Sequence, residues 1–160
     1  MHVEQREVRA AEVARRAVAP LATAMDLRDV NLVLELDETA TFQGDAPWTA
    51  EAVENIAKNC MEHTPPGGTV TVAVSEDALA TTIAVSDTGP GIASEDLPHI
   101  FERFYRGGAV EEANVAQPAG FGIGLSLAQA LVSAQGGTLR ASNNPVGGAR
   151  FEIAFPKLVV

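Results

Sequence analysis

The chain has 160 residues, 46% of them apolar, with 11 Lys and Arg against 21 Asp and Glu for a formal net charge of −10. That length buries a real core as one domain without disulfides, and the acidity excludes a general nucleic-acid or anionic-membrane surface. The single cysteine, Cys60, excludes an intrachain disulfide framework or a cysteine-built zinc site and reads as a small core residue in a reducing compartment. No apolar run reaches the ~18 to 20 residues of a membrane span, and the start, Met1-His2-Val3-Glu4-Gln5-Arg6, has no signal-peptide pattern. A cytoplasmic chain without direct membrane contact is expected.

From Val8 to about Met25 the spacing of Ala11, Val13, Ala17, Val18, Leu21 and Met25 predicts a helix, bent or ended near Pro20. Asn31 to Leu36 reads as a strand, and Thr39 to Phe42 as its short partner. Asp45 is placed to cap a helix running to about His63, with Pro47 tolerated in its first turn. Thr64-Pro65-Pro66-Gly67-Gly68 ends it. Thr69 to Val74 and Thr81 to Val85 read as a hairpin, with Asp87 where the second strand stops. Between Gly91 and Gly120 the pattern degrades to a short helix around Leu97 to Phe104, then Gly107-Gly108 and an aperiodic stretch through Pro118, and long loops of this kind are usually functional. A strong helix follows Gly124 to about Gln135, and Thr138 to Ala141 with Arg150 to Phe155 close the chain as strands. The order predicts an α+β fold, a sheet with helices segregated to one face.

Three blocks carry chemistry. On the long helix Val53, Ile56, Ala57 and Cys60 form the core stripe, and Asn55, Asn59 and His63 fall beside it at spacing four. Asparagine is a poor interior helix residue, so two of them one turn apart either offer neutral oxygens, which suit Mg²⁺, or bond back to their own backbone. Asp87 enters Thr88-Gly89-Pro90-Gly91, where a carboxylate accepts an adenine amino group or simply shapes the turn. Gly120, Gly122 and Gly124 precede a good helix whose free N–H groups can meet phosphate. The dinucleotide fingerprint needs a strand before such glycines, and the P-loop needs Gly-Lys-Ser or Gly-Lys-Thr; neither is here. Between the blocks, Ile100 to Gly107 mixes aromatics with Arg103 and Arg106, which fits either a lid anchor with phosphate-pairing arginines or an exposed helix on core phenylalanines.

Taken together, Asn55-Ile56-Ala57-Lys58-Asn59-Cys60-Met61-Glu62-His63-Thr64, Asp87 to Gly91, Phe101 to Phe104 and Gly120 to Gly124 resemble the N, G1, F and G2 boxes of the catalytic ATP-binding domain of bacterial sensor histidine kinases, a branch of the Bergerat-fold ATPases. The resemblance spans about residues 8 to 157. It implies a two-layer α/β sandwich, a mixed sheet with about three helices on one face, and an ATP lid over about 93–119, in a single catalytic domain over 1–160. It implies ATP and Mg²⁺ as ligands, with Asn59 on the metal, Asp87 on the adenine amino group, the Gly120 to Gly124 backbone on the phosphates and Arg106 on the γ-phosphate. Catalytic roles are thereby expected of Asn55, Asn59 and Arg106. Nucleotide contacts are expected of these and of Lys58, His63, Asp87, Gly89, Gly91, Ile92, Phe104, Gly120, Phe121, Gly122, Ile123, Gly124 and Leu125.

Asn55 separates relatives. Hydrolytic members such as type II topoisomerases carry a glutamate general base four residues before the metal-binding asparagine, and here that position is an amide, suited to keeping ATP for transfer. Glu62 stands where the family often has Lys or Arg, and Ala149 where many relatives have Thr or Ser near adenine. The resemblance implies transfer of the γ-phosphoryl to a histidine on a dimerisation domain, and a response regulator downstream. That domain is not read in this chain, since His2, His63 and His99 do not sit in an acceptor helix. The cytoplasmic end of a membrane-bound sensor also fits. Two alternatives share the boxes in part: an anti-sigma-type serine kinase, and a degenerate nucleotide-binding regulatory module.

Overall fold

A computed structural model describes residues 5–105 and 123–157. The chain opens with strand β1 (Arg6–Arg9), helix α1 (Ala10–Val18), a 3-10 turn (Ala19–Leu21) and helix α2 (Ala22–Leu27). Val8 thus belongs to a strand, where its alternation buries it opposite Phe42, and the predicted helix starts two residues later. Pro20, which has no N–H to donate, sits in the 3-10 turn that breaks the helix as expected. Ala10, Ala14 and Ala17 on α1 are buried, and such small side chains let its backbone lie close to the neighbouring helix.

Strand β2 (Asn31–Leu36) is followed by β3 (Thr41–Gly44), helix α3 (Ala46–His63), and strands β4 (Thr69–Glu76) and β5 (Ala80–Asp87). After a 3-10 turn at Leu97–His99 come helix α4 (Ile123–Ser133), β6 (Thr138–Asn143) and β7 (Ala149–Pro156). The predicted helix over Leu97 to Phe104 reduces to that one turn. Pro98 denies it an N–H, and Phe104 takes a left-handed φ of 64° that no helix continues through.

The main sheet has the order β2-β4-β5-β7-β6, with β2 parallel to β4 and the other pairs antiparallel. The expected partnership of β2 with the Thr39 to Phe42 segment does not form. Asp37 Oδ1 accepts from Thr39 N at 2.9 Å and Thr39 Oγ1 at 2.7 Å, turning the chain out of the sheet, and β3 pairs instead with β1 in a separate two-stranded sheet. Phe42 of that small sheet stacks on Phe155 of β7, ring centroids 4.2 Å apart.

Alternation sets the layers. Val70, Val72 and Val74 on β4 and Phe151, Ile153 and Phe155 on β7 are buried while the residues between them are more open, and Ile83, Ala84 and Val85 are all buried on the central strand β5. They join the core formed with Val13 and Val18 of α1, Val53 and Ile56 of α3, and Leu125, Ala128 and Val132 of α4. This is the α+β two-layer sandwich that the element order predicts. Among the described residues no helix is long and apolar enough to cross a membrane.

Candidate nucleotide site

Helix α3 is started by Asp45, whose side chain accepts from Trp48 N at 2.9 Å, with Pro47 inside the first turn. Its 18 residues carry the two asparagines to the end of the sheet where β5 stops. Asn59 is buried at 5% exposure. Asn55 is half-buried, and its Nδ2 is shut from solvent with no hydrogen-bond partner. A buried donor without an acceptor is costly, about 1–3 kcal/mol, and marks a place where a bound group can supply the missing oxygen. Further along, His63 Nδ1 lies 2.9 Å from the Asn59 carbonyl, so its ring turns back on its own helix, while Lys58 is exposed.

Asp87, the last residue of β5, is only 4% exposed. Its Oδ1 accepts from Gly89 N and from Ala149 N, both at 3.0 Å, tying the turn after β5 to the start of β7. The carboxylate therefore shapes its turn and also lines a cleft, so the two readings of Asp87 describe one group. Cys60 packs behind it. Burial, and then the Asp87 charge with the hydrogen bond to it, push the Cys60 thiol well above its ordinary value, so it stays protonated.

The glycines of the turn have reasons of their own. A Cβ on Gly89 would stand 2.4 Å from the His63 carbonyl oxygen, so this residue is small to pack against the end of α3 rather than to admit a ligand. Gly91 has φ +84°, a conformation side chains rarely adopt, and it brings Ile92 into the cleft wall. Asn59, His63, Asp87, Gly91 and Ile92 line the cleft on one side, and Ala149 with Phe151 of β7 closes it. Two larger surface depressions, one by Phe42, Glu76 and Lys157 and one by Arg6, Glu12 and Asp45, lie away from these residues.

The start of α4 meets α3 near its middle, one turn before Asn59. A Cβ on Gly124 would lie 3.9 Å from the Asn55 side chain, so the last glycine of the run meets the first asparagine of the helix. Leu125, named among the nucleotide contacts, has a fully buried side chain in the core. Arg106, Gly120, Phe121 and Gly122, and the side chain of Ile123, lie outside the described residues, as does the 106–119 part of the expected lid.

Before that stretch, Phe101 is half-buried and meets Phe151 edge-on with centroids 6.5 Å apart, anchoring the segment to the core. Phe104 instead is 62% exposed, beneath the Arg103 guanidinium at 5.2 Å from its ring centroid. Tyr105 donates its phenol to the buried Asp96, and that bond, followed by burial and nearby carboxylates, pushes its pKa up to about 12.

Two side chains that matter to this geometry carry no signal of their own in the sequence. Asn143 spans the Ile92 peptide, accepting from Ile92 N at 2.7 Å and donating Nδ2 to Ile92 O at 2.8 Å. Gln135 is buried and accepts from Asp45 N at 2.7 Å and Thr49 Oγ1 at 3.0 Å, while its Nε2 donates to Leu131 O at 2.9 Å. It fastens the end of α4 to the start of α3. Of the two departures, Glu62 is exposed on α3, and Ala149 is buried with its main chain serving Asp87.

Residues 44–159 match the family described as histidine kinase-, DNA gyrase B-, and HSP90-like ATPases. The sensor protein IrlS of Burkholderia pseudomallei is 33% identical over 97% of this chain and 32% of its own length. The chain spans about a third of the length of the first curated relatives it matches. A structure of the mycobacterial sensor histidine kinase MprB superposes with a TM-score of 0.80 at 26% identity, covering 95% of this chain and 97% of that one. Full-length ShkA in complex with AMPPNP superposes with a TM-score of 0.78 at 22% identity, covering 100% of this chain and 33% of ShkA, a likeness of fold. The chain belongs to the histidine kinase-, DNA gyrase B-, and HSP90-like ATPase family, and within it is of the kind that forms the catalytic ATP-binding domain of sensor histidine kinases.

Proposed function

We propose that this chain binds Mg·ATP in the cleft between α3, β5 and β7 and donates the γ-phosphoryl to a histidine on a separate dimerisation and phosphoacceptor domain, in the cytoplasm, upstream of a response regulator. The observation that carries this reading is a cleft lined by the buried Asp87 carboxylate and Asn59, with the Asn55 amide one turn back along α3 beside the start of α4.

Each end suits one part of the nucleotide. The Asp87 carboxylate accepts the exocyclic amino group of adenine, which a keto oxygen at that position would repel. The Asn55 Nδ2 that lacks a protein acceptor donates to a phosphate oxygen. The first N–H groups of α4 take phosphate oxygens as helix starts do, with Gly120 to Gly122 and Arg106 assigned by sequence to the same phosphates. Neutral oxygen ligands suit Mg²⁺, and the Asn59 amide oxygen would hold the ion with waters and phosphate oxygens completing its shell. When bound, the ion would supply charge neutralisation to the phosphates.

In the transfer itself, an imidazole nitrogen of the acceptor forms a bond to the γ-phosphorus as the bond to the β-bridging oxygen breaks, and ADP leaves with that electron pair. The chain contributes positioning and charge compensation. Asn55 is an amide and takes no proton from water at neutral pH, which favours transfer over hydrolysis. Titration calorimetry with ATP, with and without Mg²⁺, tests the first half. Binding strengthened by the ion is expected; absence of binding by the wild-type chain contradicts the reading.

A further inference from the structure

The turn after β5 leaves the sheet, so the N–H and C=O of Ile92 have no strand to pair with, yet both are satisfied. One side chain does this. Asn143, the last residue of β6, accepts from Ile92 N at 2.7 Å and donates to Ile92 O at 2.8 Å, a two-point contact that stands in for a strand partner. The same Oδ1 would lie 2.8 Å from a Cβ on Gly91, so the left-handed glycine and the amide fit only each other. Ile92 is 7% exposed and forms part of the cleft wall beside Asp87. Across the β6–β7 turn Asn143 pairs with Ala149, and Ala149 N bonds Asp87, so the turn reaches the cleft again.

The geometry points to Asn143 as a positioning residue for the base: its amide sets where the Gly91-Ile92 wall stands relative to Asp87, and so the width of the slot that receives adenine. This rests on the ATP reading above. Asn143 itself need not touch nucleotide. A carboxylate of the same shape keeps the acceptor for Ile92 N–H but turns a second oxygen on the Ile92 carbonyl, so the pair of bonds needs the amide and not merely a side chain of that size.

The test uses the intact chain as wild type, N143D and N143A, with ATP and ADP as probes in calorimetry and amide hydrogen exchange as the second readout. Affinity is expected to fall about fivefold in both variants, the worth of roughly one net hydrogen bond, and equally for ATP and ADP because the displaced wall serves the base. Exchange at Ile92 is expected to quicken while Val72 and Val85, paired in the centre of the sheet, keep their protection. Unchanged affinity with faster exchange at Ile92 overturns the proposal, since the wall would then not position the base. Faster exchange across the central sheet also overturns it, because Asn143 would then be merely structural. Wild type that binds neither nucleotide is read before any variant, and it sinks the ATP reading itself together with the positioning role.

Discussion

Asp87 and Ala149, 62 positions apart, are joined by a 3.0 Å hydrogen bond from Ala149 N to Asp87 Oδ1. That same oxygen also accepts from Gly89 N, so both backbone donors converge on one atom. An oxygen is all those two donors require. Asp87→Asn keeps that oxygen and the shape of the turn, but its NH₂ then meets the amino group of adenine donor to donor. The expected outcome is a folded chain with ATP affinity lowered at least about tenfold, measured by calorimetry alongside the melting temperature.

The Asn55 donor makes a different forecast. Its Nδ2 is buried without a partner, so Asn55→Ala removes a group that costs the fold about 1–3 kcal/mol, offsetting much of the lost packing. Unfolding stability is expected to stay within about 1 kcal/mol of wild type while ATP binding weakens. A loss of several kcal/mol in chemical denaturation would contradict this account of the side chain.

Tyr105 is the only tyrosine in the chain, so ultraviolet difference titration reads it alone. The bond to Asp96 raises its pKa from 10 to about 12. Because the folded value is the higher one, the contribution to stability is complete below pH 10 and is lost as pH rises from 10 to about 12. Asp96→Asn is expected to bring the transition back towards 10. A wild-type transition already at 10 would show that the bond does not form in solution.

Gln135 carries a stability prediction. Gln135→Ala takes from Asp45 N its side-chain acceptor and leaves Thr49 Oγ1 only the Asp45 carbonyl at 2.8 Å, both at the start of α3. A cost of about 1–3 kcal/mol is expected in denaturant unfolding. A cost under about 0.5 kcal/mol would mean that water replaces the amide.

How much of this was readable in advance depends on how local the cause is. Asp45, Pro47 and the spacing from Val53 to Cys60 place α3 within the sequence itself, because capping and helical period act over a few residues. Asn59 and Asp87 stand out for the same reason, as residue types that their own elements do not favour. The pairing of β3 with β1 instead of β2 depends on contacts between distant segments, and Val8 lies in a strand although the alanines after it extend a helical period back to it. Asn143 and Gln135 were missed for a related reason. Asn143-Asn144-Pro145 looks like ordinary turn chemistry, and only the folded chain shows that Asn143 reaches 51 positions back to Ile92.

The central claim is that the chain holds the donor half of a phosphotransfer, and incubation with ATP labelled at the γ-phosphate and a purified histidine-bearing dimerisation domain tests it most directly. The account predicts label on the acceptor domain as an acid-labile, base-stable phosphohistidine, dependent on Mg²⁺ and lost in Asp87→Asn. Acceptor protein that stays unlabelled while the chain steadily releases inorganic phosphate from ATP would contradict it.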